Sequence, residues 1–348
     1  MTDGFGRTID YLRISVTDKC NLRCKYCMPP EGVRHLPHEE ILTLEEIARL
    51  SKILAGLGIK KVRLTGGEPM VRKNLLWLVK ALKEDAEINE IAMTTNGILF
   101  AQEAQQYREA GLSSINISLD TLEEESYAQI TGKDMLSQVL LSIEAALEQG
   151  LQVKINCVPV KEWNEEELVK LAGIAKEKPV DVRFIELMPI GCGKEFEGIP
   201  SEEILKKLER VYGRTKEIPK SEGQKSQLLK DNEQNSNMAG PAKYVEFENF
   251  QGRIGFISPL SHKFCSECNR IRLTCDGKLK LCLHYQKGLE LKPLLRGGAT
   301  DEDIEQAIEA AVMEKPGEHH FLKDASKQEG KPEENSPEEM KKMVQIGG

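Results

Sequence analysis

Short apolar runs rich in β-branched residues alternate with amphipathic stretches along the chain, from Tyr11 to about Met188. The runs read LRISVT (12–17), KKVRLT (60–65), EIAMTT (90–95), SSINISL (113–119), QVKINCV (152–158) and DVRFIEL (181–187). The stretches between them include TLEEIARLSKILAGLG (43–58), NLLWLVKALKED (74–85), FAQEAQQYREAG (100–111) and DMLSQVLLSIEAALEQG (134–150). Apolar residues in the last recur at helical spacing, as at Val139, Ile143 and Ala146. The pattern predicts six strands, each followed by a helix.

Strands that alternate with helices predict a parallel sheet with right-handed crossovers. Six units are too few for a standard eight-fold barrel, so an incomplete barrel and an open doubly wound sheet both fit. In either architecture the active site lies at the carboxyl ends of the strands. Unusual residues follow the strands there, namely TDKCNLRC after the first, GGEP after the second, TNG after the third, DT after the fourth and MPIG after the sixth.

The pattern changes after Pro200. SEEILKKLERVYG (201–213) predicts one more helix, and the polar segment 214–240 predicts an exposed loop. Strands are predicted at KYVEFE (243–248) and GRIGFIS (252–258), and a helix at DEDIEQAIEAAVMEK (301–315). SKQEGKPEENSPEE (326–339) has the composition of a disordered segment. The 348 residues fit about two domains, or one large α/β unit with an appendage.

Composition narrows the class of protein. The net charge of −8 weighs against a nucleic-acid binder, which is usually basic. We find no apolar run long enough to span a bilayer and no N-terminal signal peptide, so we expect a cytoplasmic protein that makes no membrane contact. The cytosol keeps thiols reduced, so the clustering among the nine cysteines favours metal or redox chemistry over disulfides.

Three cysteines, Cys20, Cys24 and Cys27, stand in the loop after the first predicted strand. A structural zinc site normally has four protein ligands. Three thiolates on a four-iron cluster would instead leave one iron open to a small molecule. Zinc completed by a distant Cys157 or His35 stays an alternative, because cysteine ligands suit both kinds of site.

A second group lies in FCSECNRIRLTCDGKLKLCL (264–283), which contains Cys265, Cys268, Cys275 and Cys282. Spacing alone permits a zinc knuckle with four cysteine ligands.

Four cations stand inside predicted strands: Arg13, Arg63, Lys154 and Arg183. A single one would be explained by an ion pair or by a side chain that reaches the surface. Four in one sheet could point inward and converge on a polyphosphate, which charged donors bind well.

CNLRCKYC (20–27) resembles the cluster motif of the radical S-adenosylmethionine superfamily, and GGEP (66–69) resembles its glycine-rich segment. The resemblance implies that the open iron chelates S-adenosylmethionine and that the cofactor supplies a 5′-deoxyadenosyl radical. It also favours the incomplete barrel over the doubly wound sheet.

A narrower resemblance comes from FCSECNRIRLTCDGKLKLCL together with FIELMPIG, GPAKY and the terminal IGG. These motifs closely resemble the molybdenum-cofactor biosynthesis protein A family, the GTP 3′,8-cyclases. The resemblance implies an α/β fold, an incomplete (β/α)6 TIM-type barrel with a C-terminal α+β cluster-binding extension. We expect the barrel in residues 1–200, the extension in 201–322 and a flexible tail in 323–348.

The same resemblance assigns roles to individual residues. It implies two [4Fe-4S] clusters, the first held by Cys20, Cys24 and Cys27 and the second by Cys265, Cys268 and Cys282, with Cys275 as a non-ligand. It implies GTP contacts for Arg13, Arg63, Thr94, Lys154, Arg183, Arg270 and Arg272, of which Arg270 and Arg272 are also catalytic. It implies S-adenosylmethionine contacts for Tyr26, Gly67, Ser118 and Met188.

The final Gly347-Gly348 resembles a double-glycine tail that reaches into the family's active site, and residues without side chains suit a narrow channel. The stretch before it is longer and more acidic than usual, and Val344 stands where small polar residues are common. Asn156 and Glu186 are polar strand residues without an assigned role.

The implied reaction is the conversion of GTP to 3′,8-cyclo-7,8-dihydro-GTP, with an electron donor and a downstream cyclic pyranopterin monophosphate synthase as partners and a homodimer as a possible assembly. One alternative is a radical enzyme with an auxiliary cluster that acts on a peptide. Another is a non-catalytic zinc module that binds nucleic acid through NRIRLTCDGKLK (269–280).

Overall fold

A computed structural model describes residues 1–217, 241–321 and 342–347 of the chain. Its helices are α1 (Leu44–Gly56), α2 (Leu75–Glu84), α3 (Ala104–Glu109), α4 (Glu124–Thr131), α5 (Leu136–Glu148), α6 (Lys161–Asn164), α7 (Leu168–Glu177), α8 (Ser201–Tyr212), α9 (Leu291–Arg296), α10 (Asp301–Met313) and α11 (Met343–Ile346). Its strands are β1 (Tyr11–Ser15), β2 (Lys61–Thr65), β3 (Glu90–Thr95), β4 (Leu112–Ser118), β5 (Gln152–Cys157), β6 (Asp181–Ile185), β7 (Thr215–Glu217), β8 (Lys243–Phe247), β9 (Ile254–Ile257), β10 (Arg270–Leu273), β11 (Lys278–Lys280) and β12 (Gly288–Glu290). Within these ranges no helix combines the length and the apolar character that a membrane crossing needs.

The strands β1 to β6 lie side by side in chain order, and each is parallel to the next. A doubly wound sheet reverses its strand order at a switch point, whereas this order runs in one direction. The sheet ends at β12 on one side and at β7 on the other, so the described strands form an open barrel. The predicted incomplete (β/α)6 barrel is therefore confirmed, and the doubly wound alternative is wrong.

Strands of the C-terminal region extend both edges of this barrel. β10 lies parallel beside β1, and β9 lies parallel beside β6. β11 and β12 continue one edge in antiparallel pairing, as β8 and β7 continue the other. The described part of the region after residue 200 thus shares one sheet with the barrel. The domain boundaries at 200 and 322 stay predictions.

The strands alternate between a face packed under the helices and a face turned to the barrel interior. Leu12 and Ile14 of β1 are fully buried, and they share the main apolar core with Ile47 and Leu50 of α1. Side chains of a strand alternate in direction, so Arg13 points away from that core. The alternation therefore sends the strand cations into the barrel.

The segment 214–240, predicted to be a loop, contains the strand β7 at residues 215–217. Thr215 and Glu217 pair with β8, which satisfies backbone groups that a loop would leave to water. Residues 218–240, like the segment 326–339 predicted to be disordered, lie outside the described residues.

Candidate active site

The two cysteine groups lie at opposite ends of neighbouring strands. The first group follows the carboxyl end of β1, whereas Cys265 and Cys268 precede the amino end of β10, its parallel neighbour. Cys282 follows β11, whose antiparallel pairing with β10 returns the chain to that same end. Five strand residues span about 16 Å, so the two groups are separated by about the length of these strands.

The strand cations occupy this intervening space. Arg13 is in register with Arg63 on one side and with Arg272 on the other. Arg63 donates hydrogen bonds to the Tyr11 hydroxyl and, at 3.4 Å, to Thr94 Oγ1. Burial raises the pKa of Tyr11, but the positive charges of Arg63 and Arg13 outweigh burial and lower that pKa to about 8.

A second set of cations lies across the barrel on β5 and β6. Burial lowers the pKa of Lys154 well below its ordinary value, and the charge of Arg183 lowers it further. Arg183 donates to Asn156 Oδ1 from Nε at 2.9 Å and from Nη2 at 2.6 Å, which gives Asn156 a role that the sequence left open. The nearby Asp181 accepts hydrogen bonds of 2.9 and 2.8 Å from Arg253. The interior therefore carries surplus positive charge, which a bound polyanion would offset.

The first cysteine loop is fixed against α4. The amide of Arg23 donates to the carbonyl of Thr131 at 2.8 Å, and the amide of Lys25 donates to that of Ile130 at 3.1 Å. All three thiols of the group are free and half-buried. Burial raises the pKa of Cys24 well above its ordinary value, and the neighbouring Cys27 raises it further. A cationic metal centre would stabilise these thiolates, so the donor set fits an iron–sulfur cluster.

Gly67 brings the glycine-rich segment against the cysteine loop. Its amide donates to the carbonyl of Thr17 at 2.8 Å, and the next amide, of Glu68, donates to the carbonyl of Lys19 at 2.8 Å. A Cβ atom at Gly67 would lie 2.4 Å from the Lys19 carbonyl oxygen and 2.9 Å from Val344 Cγ2. Only glycine fits this approach, beside the first cysteine.

Glu68 joins the loops after β2 and β3, and sequence reasoning did not single it out. Its carboxylate accepts hydrogen bonds from Thr95 Oγ1 at 2.7 Å, the Asn96 amide at 2.7 Å and the Met70 amide at 3.0 Å. Burial raises the pKa of Glu68 to about 7, although the bonds from Asn96, Thr95 and Met70 oppose the rise. An acidic residue directly after two glycines at a strand end was the available signal.

Tyr26 also has a buried acidic partner. Its hydroxyl donates to Asp120 Oδ2 at 2.6 Å, and Asp120 Oδ1 accepts from the Val158 amide at 2.8 Å. Burial raises the pKa of Asp120 to about 6, against the lowering effect of the Tyr26 and Val158 bonds. This network ties the first cysteine loop to the ends of β4 and β5.

The other residues predicted to contact S-adenosylmethionine lie near the same strand ends. Ser118 ends β4 and is in register with Asn156 of β5. Met188, after β6, packs against a small apolar cluster that includes Ile190 and Ile346. Glu186, left without a role by the sequence, accepts hydrogen bonds from the backbone amides of Leu260 and Ser261, which indicates a structural role.

The end of the chain reaches into the barrel. The carbonyl of Gly347 accepts a hydrogen bond of 3.2 Å from Arg272 Nη1. Gly347 has a φ of 75°, and a Cβ there would lie 2.8 Å from Ser15 Cβ at the end of β1. Val344 and Ile346 are buried, so this segment packs here despite its unusual residues. Gly348 lies outside the described residues.

The second cysteine group lies in electropositive surroundings. Burial raises the pKa of Cys268, but the charges of Lys315 and Arg270 outweigh it and the net shift is downward. Burial and the neighbouring Cys282 raise the pKa of Cys265. Cys275 is buried in the turn between β10 and β11, where its carbonyl accepts from the Leu42 amide at 2.8 Å. Three cysteines with cationic neighbours again fit an iron–sulfur cluster, because the positive charges would offset the negative charge of the thiolate-bound cluster.

No three His, Cys, Asp or Glu side chains of the described ranges are gathered closely enough to hold a single metal ion. The predicted metal ligands therefore rest on donor chemistry and on the arrangement of the loops.

Comparison with known proteins agrees with this architecture. Residues 14–174 match the radical SAM superfamily, and residues 180–321 match Molybdenum Cofactor Synthesis C. The chain is 46% identical to a GTP 3′,8-cyclase of Clostridium perfringens (strain 13 / Type A) over 92% of this chain and 95% of that protein. It is 43% identical to a GTP 3′,8-cyclase of Desulforamulus reducens, with both chains covered completely. The chain belongs to the GTP 3′,8-cyclase family.

A solved structure supports the fold of this GTP 3′,8-cyclase family member. Streptococcus suis SuiB bound to S-adenosylmethionine superposes with a TM-score of 0.57 at 14% sequence identity, over 97% of this chain and 77% of SuiB. As a radical SAM member of the GTP 3′,8-cyclase family, the chain takes [4Fe-4S] clusters and S-adenosylmethionine as cofactors. The roles of individual residues toward them stay predictions.

Proposed function

We propose that this enzyme converts GTP to 3′,8-cyclo-7,8-dihydro-GTP in molybdenum cofactor biosynthesis. The observation that carries the proposal is a set of cations on β1, β2, β5, β6 and β10, which lies between two groups of three cysteines; Arg63, Lys154 and Arg183 are buried, and Arg13 and Arg272 are partly buried. When bound at the first group, the cluster and S-adenosylmethionine supply the adenosyl radical that removes hydrogen from ribose C3′. The chain's own residues bind the nucleotide and aim that carbon at the radical source.

The strand cations hold the triphosphate. Arg13, Arg63 and Arg272 stand level on three neighbouring strands, and Lys154 and Arg183 face them from β5 and β6. Guanidinium groups bind phosphate oxygens in pairs, and a buried ammonium adds a point charge. Thr94, two register positions further along the neighbouring strand, accepts from Arg63 and offers a hydroxyl beside it.

The second cysteine group holds the other end of GTP. Arg270 stacks on the Phe264 ring, with 5.0 Å between its guanidinium carbon and the ring centroid, and Arg272 reaches from the same strand to the tail. In this proposal Cys265, Cys268 and Cys282 would hold the second cluster, which would supply a metal contact for the purine, and both arginines orient the base. Positioning of this kind lowers the barrier because the reacting atoms are already aligned.

Residues around the first group would hold S-adenosylmethionine. Gly67 leaves room for its methionine part, Tyr26 lies near its adenine, and Ser118 and Met188 complete the pocket. Cys20, Cys24 and Cys27 hold the first cluster. The hydrogen bond between Tyr26 and Asp120 fixes the tyrosine ring in place for this contact.

The proposal includes partners and a location. A one-electron donor reduces the first cluster, and a cyclic pyranopterin monophosphate synthase consumes the product. The enzyme works in the cytoplasm, binds neither nucleic acid nor membrane, and can form a homodimer.

The deciding experiment measures 5′-deoxyadenosine and the nucleotide product. Anaerobically reconstituted protein is mixed with dithionite and S-adenosylmethionine, with no nucleotide, with ATP or with GTP. We expect strong stimulation by GTP alone and a cyclised nucleotide in the same sample. Equal 5′-deoxyadenosine formation in all three samples would exclude GTP as the specific substrate. It would favour the alternative of a radical enzyme that acts on a peptide. A sample with full iron and sulfide and no 5′-deoxyadenosine would exclude the radical reaction.

A further inference from the structure

Lys315 lies beneath the second cysteine group, and only 2% of it is exposed. Its ammonium donates to the carbonyl oxygen of Arg270 at 2.9 Å and to that of Leu281. Arg270 stands two residues after Cys268, and Leu281 directly precedes Cys282. One buried cation therefore joins the backbone beside two of the three cysteines.

Arg7 holds the backbone of the third cysteine, Cys265. Its guanidinium donates to the carbonyl of Cys265 at 2.7 Å and to that of Pro316 at 2.8 Å. Arg7 also forms a salt bridge of 2.6 Å with Asp3, so its charge is balanced locally. Arg7 thus fixes the backbone of Cys265 and of the residue after Lys315 without adding net charge.

Lys315 has no such balance. Within the described ranges no carboxylate lies at ion-pair distance from its ammonium, which donates to the two carbonyl oxygens. Burial lowers the pKa of Lys315, and the neighbouring Cys268 and Cys282 oppose this shift when they are thiolates. A buried ammonium without an anion is costly, so negative charge at the cysteines stabilises this lysine.

We propose that Lys315 is a positioning residue for the second cluster. The buried charge of Lys315 stabilises the reduced state of the cluster, and its hydrogen bonds fix the segments of Cys268 and Cys282. The inference rests on the proposed second cluster. Reduction adds one negative charge next to a fixed positive one, and the buried surroundings screen that attraction weakly. Hydrogen bonds, charge and solvent exposure set the potential of such clusters.

The test is a redox titration of the second cluster, followed by electron paramagnetic resonance. Cys20, Cys24 and Cys27 are replaced by alanine so that only this cluster is observed. In that background we compare Lys315→Gln and Lys315→Met with Lys315→Arg, which keeps the charge. At a fixed potential we expect the first two to lower the ratio of reduced to oxidised cluster at least tenfold, a shift of about 59 mV for one electron. Lys315→Arg should stay within about twofold of the parent.

Lys287→Met is the matched control, because Lys287 is a solvent-exposed lysine that pairs with Glu314 near the same region. It should leave the titration unchanged, since water screens its charge.

The outcomes separate charge from packing. Lys315→Gln with full iron and the parent's potential would overturn the inference. Loss of iron in Lys315→Gln with an unchanged circular dichroism spectrum would support it, provided that Lys315→Arg keeps its iron. Unfolding of all three Lys315 variants would show a general structural role and overturn the inference. A parent protein that binds no cluster would instead refute the proposed second cluster itself.

Discussion

Substitution of Gly67 by alanine tests the close approach between the glycine-rich segment and the first cysteine loop. The new Cβ would lie 2.4 Å from the Lys19 carbonyl oxygen, and real Cβ contacts essentially never fall below 3.0 Å. The loops must therefore move apart by about 0.6 Å. The obstacle is backbone, which cannot rotate away as a long side chain could.

The energetic cost follows from the bonds that this movement stretches. The hydrogen bond between the Glu68 amide and the Lys19 carbonyl is 2.8 Å long. A displacement of about 0.6 Å would take it to about 3.4 Å, beyond the usual range. One lost backbone bond costs about 1 kcal/mol, and the steric strain adds about 1–3 kcal/mol. If about 2 kcal/mol of the total falls on cofactor binding, the Kd for S-adenosylmethionine rises about 30-fold.

The assay is anaerobic equilibrium dialysis of S-adenosylmethionine, together with iron analysis. Gly56→Ala is the matched control, because Gly56 ends α1 and a Cβ there would lie 3.9 Å from Glu305 Oε1, an ordinary contact. That variant should bind the cofactor normally and gain about 0.5–1 kcal/mol of stability. A Gly67→Ala protein with full iron and a Kd within about twofold of wild type would refute the proposed steric requirement.

Three further outcomes are expected. Cys282→Ala should reduce bound iron to about half, because one of two clusters loses a ligand. Cys275→Ala should keep all of its iron. An equal loss of iron in the two variants would contradict the ligand assignment. Lys154→Met should raise the KM for GTP about tenfold or more, because a buried charge-assisted hydrogen bond to phosphate is lost. Lys80→Met, on the exposed face of α2, is the control and should leave the KM unchanged. An unchanged KM of Lys154→Met in steady-state kinetics would show that Lys154 does not bind GTP. In the folded protein the pKa of Glu68 is about 7, above its ordinary value of 4.5. The folded state therefore binds this proton more tightly than the unfolded state does. As a result, the free energy of unfolding falls as the pH rises from about 4.5 to about 7. Glu68→Gln removes this dependence, so the stability difference between wild type and variant in anaerobic urea unfolding should change by about 3 kcal/mol over that interval; a constant difference would mean that the carboxyl titrates normally.

Sequence reasoning located what local patterns encode. Helix α1 begins where Thr43 and Glu46 form a capping box, and the apolar period fixed its extent closely. The three-cysteine motifs and the glycine-rich segment were recognisable because their chemistry needs particular residues at short, fixed spacing. The strand cations were visible because a charged residue inside an apolar run is unusual.

Sequence reasoning missed contacts made by residues that are distant along the chain. Lys315 meets Arg270 and Leu281, and Arg7 meets Cys265 across 258 residues. Neither lies in a motif. The strand β7 was also missed, because a three-residue polar strand becomes favourable only when β8 supplies its hydrogen bonds.

The sequence by itself determined the alternation of strands and helices, the two cysteine groups and the inward cations, because each depends on the spacing of neighbouring residues. Only the tertiary structure decided that the strands run in chain order as an open barrel, that β10 lies beside β1, and that the two cysteine groups consequently lie at opposite ends of these two strands. Strand pairing is a long-range choice, since it is made by hydrogen bonds common to every residue and by the burial of whole faces. The same holds for Gly347, whose place beside Arg272 depends on the assembled barrel.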